Sequence, residues 1–425
     1  MELYKTQKQV LKHLDYSEYI ALKSLCRYSK DMFNITLYSV RQHYFKTKQY
    51  LSYNSNYHLL KDNEVYKLLG AKTSQNTMKQ VDFAFKSFFT LLKKKNSGNY
   101  SSKVKIPKYL DKEGYYPLIF DKFSISKGCF KVYMSKEFET LYGPIKIKVP
   151  SNLDIKNIKY IKIIPIYDCQ YFEVQYTYLI DYEELTLNKH NILGIDIDIG
   201  IDNLCTCVTN SSNNHSFIID GRPIKSMNQY TNKMVAYYRS IINKQGLLHS
   251  KRINSLWFKR NNYIDDYLNK SVNYITNYVI NNDIGTIVLG YNNNFQQNSN
   301  IGKINNQNFV NMPFSKLISK LEHLCSNLGI TFILQEESYT SKASFIDKDD
   351  IPTYVKGNNT KYSFSGNRVK RGLYKTKNGI ILNADVNGAF NIIRKAIQTQ
   401  SLNCLIDMSK ISIKNIASPK RIKVA

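Results

Sequence analysis

Apolar side chains recur at steps of three and four along residues 17–48: Tyr19, Leu22, Leu25, Cys26, Met32, Phe33 and Leu37. That spacing predicts a helix. A second helix is predicted over 75–95, where Val81, Ala84, Phe85, Phe88 and Leu92 form one face, Ser74 stands at the cap position, and KKKNSG ends the run. The period then changes. FSISKGCFKVYM (123–134), IKIKV (145–149), IKYIKIIPIY (158–167) and YFEVQYTYLI (171–180) alternate and are rich in β-branched and aromatic residues, with turn signals between them. They predict antiparallel sheet or a small barrel. After 190 the pattern changes again. LGIDIDIG (193–200) and LCTCV (204–208) predict a buried hairpin, followed by long helices near 227–245 and 250–281. Short apolar strands TIVLG (286–290) and TFILQ (331–335) flank a helix at 313–328, and a last helix is predicted over 386–398. Strands alternating with helices predict a mixed α/β sheet. The segment 351–384 has seven basic residues and no acidic ones and predicts a loop insertion; the stretch after 400 shows no pattern beyond its basic charge.

Charge narrows the partner class. The chain has 425 residues and a formal net charge of +27. The surplus is spread over both halves rather than held in a tail, exceeds what solubility requires, and attracts polyanions. Outward lysines alternating with tyrosines in 103–180 suit single-stranded nucleic acid, although a solvated sheet face has the same pattern. On the two long helices, Lys251, Arg252, Lys259 and Arg260 are candidate nucleic-acid contacts, as are Lys370 and Arg371 in VKRGLYK. Trp257, the single tryptophan, reads as core rather than as a stacking platform. The seven cysteines contain no CxxC pair and the seven histidines show no ligand spacing, so neither type predicts a metal site. No apolar run approaches the ~20 residues of a membrane span, and no secretory signal pattern opens the chain, so a cytoplasmic protein without membrane association is expected.

Acidic residues are scarcer, and their placement matters. Asp196 and Asp198 lie two apart in an apolar strand, hence on one face; Glu336 and Glu337 follow the strand FIL; Asp385 precedes a helix. Carboxylates at strand ends and helix starts of one α/β unit suit Mg²⁺ (or Mn²⁺) and phosphodiester hydrolysis. An acid opening a helix also serves as a cap, and Glu337 also fits a solvated loop.

At this point the motifs match a family. LGIDIDIGIDNLCTCV (193–208) resembles the first RuvC motif of TnpB proteins, transposon-encoded relatives of type V CRISPR effectors. YTSK (339–342) resembles the family's YTS element, and NGIILNADVNGAFNIIRKA (378–396) resembles its third RuvC motif. CRYSKDMFNITLYSVRQHYF (26–45) and KQVDFAFKSFF (79–89) resemble its helical recognition segment. The resemblance implies a multidomain α+β fold: a wedge β-barrel (1–15 and 100–188) interrupted by a helical recognition lobe (16–99), then an RNase H-like RuvC nuclease domain (189–340 and 378–400) carrying a nucleic-acid-loading insertion (341–377), and a basic tail (401–425). It implies an RNA-guided DNA endonuclease with a guide RNA and double-stranded target DNA as partners and no obligate protein partner.

Carried over by position, the first aspartate falls on Asp198, with Asp196 as alternate, and the last on Asp385. The family's usual glutamate position is Gly290, so the acid moves to Glu336, with Glu337 as alternate. Metal ligands are thus expected at Asp198, Glu336 and Asp385. Ala343 stands where many relatives have the first of four cysteines, so no zinc is expected. The first barrel strand is expected to be short or missing before KTQKQVLKHL. A catalytically inactive guided DNA binder and a transposase acting in recombination are the alternative readings.

Overall fold

The structure is a computed structural model that describes residues 3–180, 185–197, 202–210, 215–291, 312–354, 360–370, 372–400 and 413–424. The chain divides into two compact units, Met1–Tyr182 and Glu183–Ala425.

The first unit begins with strand β1 (Leu3–Val10), then helices α1 (Tyr16–Thr47), α2 (Tyr53–Leu60), α3 (Glu64–Leu69) and α4 (Ala71–Asn96). Strands β2 (Leu118–Phe120), β3 (Ile125–Ser126) and β4 (Cys129–Lys131), helix α5 (Lys136–Tyr142), and strands β5 (Lys146–Lys148), β6 (Ile158–Ile166) and β7 (Tyr171–Ile180) follow. α1 starts at a reciprocal capping box between Asp15 and Glu18, which satisfies two backbone donors that a helix start leaves open. The strands pair as β1-β7-β6-β2 and β3-β4-β5, two sheets rather than one closed ladder among the described residues. Ile161, Ile163, Phe172, Val174 and Tyr176 point into a core completed by Leu22, Leu25 and Cys26 of α1. Lys146 and Lys148, on either side of buried Ile147, and Lys159 of β6 are exposed.

The first strand corrects the sequence reading. β1 spans LYKTQKQV and pairs antiparallel with β7 from Leu3–Ile180 to Val10–Glu173. None of its residues is fully buried, so the backbone ladder holds it at the sheet edge and no apolar alternation marks it.

The second unit opens with β8 (Ile192–Asp196), β9 (Asn203–Thr209) and β10 (Phe217–Asp220), then α6 (Arg222–Lys244), α7 (Lys251–Asn281), β11 (Thr286–Gly290), α8 (Phe314–Leu328) and β12 (Thr331–Gln335). It continues with β13 (Asn367–Lys370), β14 (Leu373–Lys375), β15 (Ile381–Asn383), α9 (Ala384–Thr399), α10 (Ile413–Ala417) and β16 (Lys420–Ile422). The central sheet runs β12-β11-β8-β9-β10-β16. β8, β9 and β10 pair antiparallel in sequence, and β11 and β12 run parallel beside β8.

Alternation along β8 decides what each face meets. Leu193 and Ile195 join Ile264, Leu268, Leu317 and Leu321 of α7 and α8 in one core, while Ile192 joins Ala389, Ile392 and Ile393 of α9 in the other. α9 passes so close to β8 that a Cβ on Gly194 would lie 2.5 Å from Ile393 and 2.9 Å from the Ala389 carbonyl, so only glycine fits.

Two segments hold more structure than their sequences predict. The insertion contains the antiparallel sheet β13-β14-β15. The basic segment after 400 contains α10 and β16, and β16 adds to the sheet edge parallel to β10. β13 and β16 are exposed on most positions, so neither shows an apolar period.

Candidate active site

The candidate acids sit where β8, β11 and β12 end and α9 begins. Asp385 lies in the first turn of α9 and is buried. Asn383 caps that turn, its Oδ1 accepting from the backbone N–H of Asp385 (3.0 Å) and Val386 (3.1 Å). The open N–H groups of a helix start favour a carboxylate there. Each Asp385 oxygen has its own donor: Asn203 Nδ2 donates to Oδ2 at 2.7 Å, and Arg368 Nη2 of β13 lies 3.1 Å from Oδ1.

Asp196 ends β8 on the face toward α9, two residues beyond Gly194. Its carboxylate rests against the helix: a Cβ on Gly388 would lie 2.9 Å from Asp196 Oδ2. Gly388 is three residues after Asp385 and therefore shares its side of α9. Asp196 and Asp385 thus flank the same helical turn. Asp198 lies outside the described residues.

β8 and β11 run in register to Ile195–Leu289, and each ends one residue later, at Asp196 and Gly290. The absent side chain at 290 leaves room that another residue uses. A Cβ there would lie 3.0 Å from Glu337 Oε2 and 2.4 Å from Ile392 Cδ1. Glu337 therefore lays its carboxylate over the end of β11, beside the end of β8. Burial pushes its carboxyl up to about 7, the charge of Glu336 adds to that, and Lys395 opposes it.

Glu336, one residue earlier, behaves oppositely. Its Oε2 pairs with Lys395 Nζ, and its Oε1 accepts from the Ser338 backbone N–H (2.7 Å) and hydroxyl. Lys395 is buried on α9 and also donates to the carbonyls of Ser338 and Pro352, each at 3.1 Å. Burial works to raise the Glu336 carboxyl, but the Lys395 and Ser338 hydrogen bonds outweigh it and hold the group below its ordinary value. Oε2 of Glu336 thus fastens this loop to α9, while Oε1 closes the turn at Ser338.

The segment after Glu337 is fastened the same way. Asn387 and Asn391, fully buried on α9, donate to the Ala343 carbonyl at 2.8 and 2.7 Å, and Asn391 also reaches the Thr340 carbonyl at 2.9 Å. Phe345 stacks on Phe390 with ring centres 4.3 Å apart. Amide hydrogen bonds and ring packing shape the start of the insertion at the position where Ala343 stands.

Hard carboxylate oxygens from Asp196, Glu337 and Asp385 are the donor type a divalent ion such as Mg²⁺ takes. Among the described residues, no three His, Cys, Asp or Glu side chains are already gathered as a bound ion requires. Asp196 lies against Gly388 on the helical turn after Asp385, and Glu337 lies over Gly290 at the end of the strand beside β8.

The basic candidates divide. Lys251, Arg252 and Lys259 are exposed on α7. Arg252 lies over the Tyr238 ring at 4.7 Å. Arg260 instead ties α7 to α6, its Nε donating to Asn228 Oδ1 at 2.7 Å while its guanidinium covers Trp257, which is half-buried. Lys370 is exposed at the end of β13, and Arg371 lies outside the described residues. No helix among the described residues is long and apolar enough to cross a membrane.

Sequence reasoning passed over Asn203, Arg368, Lys395 and Arg421. Asn203 lies within the first motif and Lys395 within the third, so motif membership was a usable signal for both. Arg368 and Arg421 sit in basic stretches where nothing distinguishes one cation from its neighbours.

Comparison with known proteins agrees with the motifs. Residues 175–296 match the OrfB_IS605 family, described as "Probable transposase", and residues 314–392 match the family described as "Cas12f1-like, TNB domain". No curated protein matches the chain. Among solved structures, the chain is similar to that of a Cas12f1–sgRNA–target DNA complex, at 16% identity and a TM-score of 0.51, covering 87% of this chain and 81% of that one. A CRISPR–Cas12f ternary complex is also similar, at 16% identity and a TM-score of 0.32, covering 88% and 80%. The resemblance to TnpB proteins read from the motifs is borne out by these matches.

Proposed function

We propose that this chain, TnpB-like in its motifs and matched regions, is a transposon-associated RNA-guided DNA endonuclease that hydrolyses phosphodiester bonds with Mg²⁺ (or Mn²⁺) at a RuvC site. The observation that carries the reading is the Glu337 carboxylate over Gly290. A glutamate from the loop after the neighbouring strand brings a carboxylate oxygen to 3.0 Å from where a Cβ on Gly290 would stand, which supports an acid at the position the glycine leaves without one.

In this reading Asp198, with Asp196 as its alternate, holds the ion together with Glu337 and Asp385, and Glu336 secures the loop that carries Glu337. A divalent ion there supplies charge stabilisation and lowers the pKa of water. The chain's own residues do the rest. Asn203 and Arg368 hold the two oxygens of Asp385 in one rotamer. α9 brings Asp385 and Asp196 to one helical turn. The basic surplus draws the nucleic acid in, with exposed Lys251, Arg252 and Lys259 among its contacts. The wedge-and-lobe organisation implied for residues 1–188 would seat guide RNA and target DNA, the two nucleic acids named in the solved Cas12f1 complex.

The test is plasmid cleavage with Mg²⁺, using protein purified with RNA transcribed from its own gene's flank and a target carrying a randomised motif beside the matched sequence. Cuts should require the RNA and fall by about 10³-fold or more in Asp385→Ala, the cost of losing a metal ligand. Asp196→Ala and Asp198→Ala run in parallel assign the first position.

Gly290 itself favours a second reading, a guided DNA binder without cleavage. It predicts RNA-dependent DNA retention with no cuts under any divalent ion. The matched transposase description favours a third, which predicts joined strand-transfer products.

A further inference from the structure

The last strand of the sheet reaches the candidate site through a single asparagine. β16 pairs with β10 at Ile218–Arg421, which aims the Arg421 guanidinium at the start of β9. Its Nη2 donates to Asn203 Oδ1 at 2.7 Å, and its Nη1 to the Asp202 carbonyl at 3.2 Å and to Asp220 Oδ1 at 3.3 Å. Asn203 is buried, and its other amide atom, Nδ2, donates to Asp385 Oδ2 at 2.7 Å.

A primary amide has one accepting and one donating end, and turning it over exchanges them. Beside a carboxylate the difference decides whether the contact attracts or repels. A guanidinium has five donors and no acceptor, so it admits only the oxygen of Asn203. Facing Oδ1 to Arg421 leaves Nδ2 for Asp385. Asp220 is the anchor of this arrangement: Arg222 holds it through Nε at 2.8 Å and Nη2 at 2.7 Å, and Arg421 leans on the same carboxylate.

We propose that Arg421 is a positioning residue that fixes the amide orientation of Asn203, so that β16, outside every motif of the nuclease reading, sets the orientation of the Asp385 carboxylate. The relay Arg421–Asn203–Asp385 exists without a metal. Its consequence for metal affinity rests on the proposed nuclease reading.

The experiment separates the two. The protein is labelled with ¹⁵N-asparagine, and the Asn203 side-chain amide is assigned by its loss in Asn203→Ser. In the wild-type protein this amide should give one pair of resonances that shifts in Asp385→Asn. In Arg421→Met the pair should move or broaden, and in Arg421→Lys, which keeps a donor, it should return part of the way. Ile422→Ala, which loosens the packing of β16 without removing the guanidinium, should leave it in place. Mn²⁺ binding to the same samples should weaken about tenfold in Arg421→Met, the low end for a residue supporting a metal ligand. An unchanged Asn203 amide in folded Arg421→Met overturns the relay whatever the Mn²⁺ result. A shifted amide in a protein whose wild type binds no Mn²⁺ keeps the relay and overturns the metal site.

Discussion

The two flanks of strand β8 are built on opposite principles. On the β9 side, donors converge on acids: Asn203 and Arg368 on Asp385, Arg222 and Arg421 on Asp220. On the β11 side, an acid is pressed into a space vacated by a glycine, and its carboxyl is raised to about 7. The first flank fixes orientation. The second carries an electrostatic cost that a bound cation would relieve. The adjacent residues Glu336 and Glu337 show the contrast at closest range, one held below its ordinary pKa by Lys395 and Ser338, the other pushed above it.

The largest expected effect comes from separating those two glutamates. Glu337→Gln should lower guided cleavage by roughly 10²-fold or more while leaving thermal stability unchanged or slightly raised, because a costly buried acid is removed. Glu336→Gln should do the reverse. It leaves Lys395 buried without its anion, and with Glu336 itself 37% exposed, solvent limits the loss to about 1–2 kcal/mol of stability. Melting curves run beside single-turnover cleavage check both.

Next is Gly388→Ala. The added methyl belongs 2.9 Å from Asp196 Oδ2, so the carboxylate must move, whereas a helix interior gains up to about 1 kcal/mol from alanine. Cleavage should fall about tenfold with no loss of melting temperature, because a small misplacement of a reacting group is costly. Equal activity would show that Asp196 takes no part.

Gly290→Ala should be milder for chemistry and harder on the fold. Its methyl meets the movable end of Ile392 first and Glu337 second, at a cost of about 1–3 kcal/mol read by denaturant titration. The smallest effect concerns the donor flank. Burial works to raise Asp220, but its Arg222 hydrogen bonds outweigh this and hold it below the ordinary carboxylate value. A group depressed in the folded state adds stability above its unfolded pKa and loses it as pH falls through the folded value. Asp220→Asn should therefore reduce stability at neutral pH and flatten the acid limb below about pH 4, measured by melting temperature against pH.

Legibility followed burial. TIVLG and TFILQ are strands to the residue, the first buried throughout and the second an apolar run that is only half-buried, and the long helices, each burying a periodic apolar face, fall within about five residues of their predicted ends. β1, β13 and β16 escaped because edge strands held by backbone pairing need no alternation. At the site, Asp385 was legible from its motif, and the glycine at 290 was legible as a displacement of the usual acid. How the two glutamates after β12 differ was not, since the loop turns neighbouring carboxylates to different partners, Glu336 to Lys395 and Glu337 to the space over Gly290. The role of Arg421 was beyond the sequence altogether, as it depends on β16 crossing more than two hundred residues to pair with β10.

The most direct test of the central claim is Mn²⁺ binding, measured by calorimetry on the RNA-loaded protein and its Asp385→Ala, Glu337→Gln and Glu336→Gln variants. The account predicts that Asp385→Ala and Glu337→Gln abolish the site while Glu336→Gln retains it in the folded protein. Loss of binding in Glu336→Gln with retention in Glu337→Gln would contradict it, and would place the replacement acid one residue earlier.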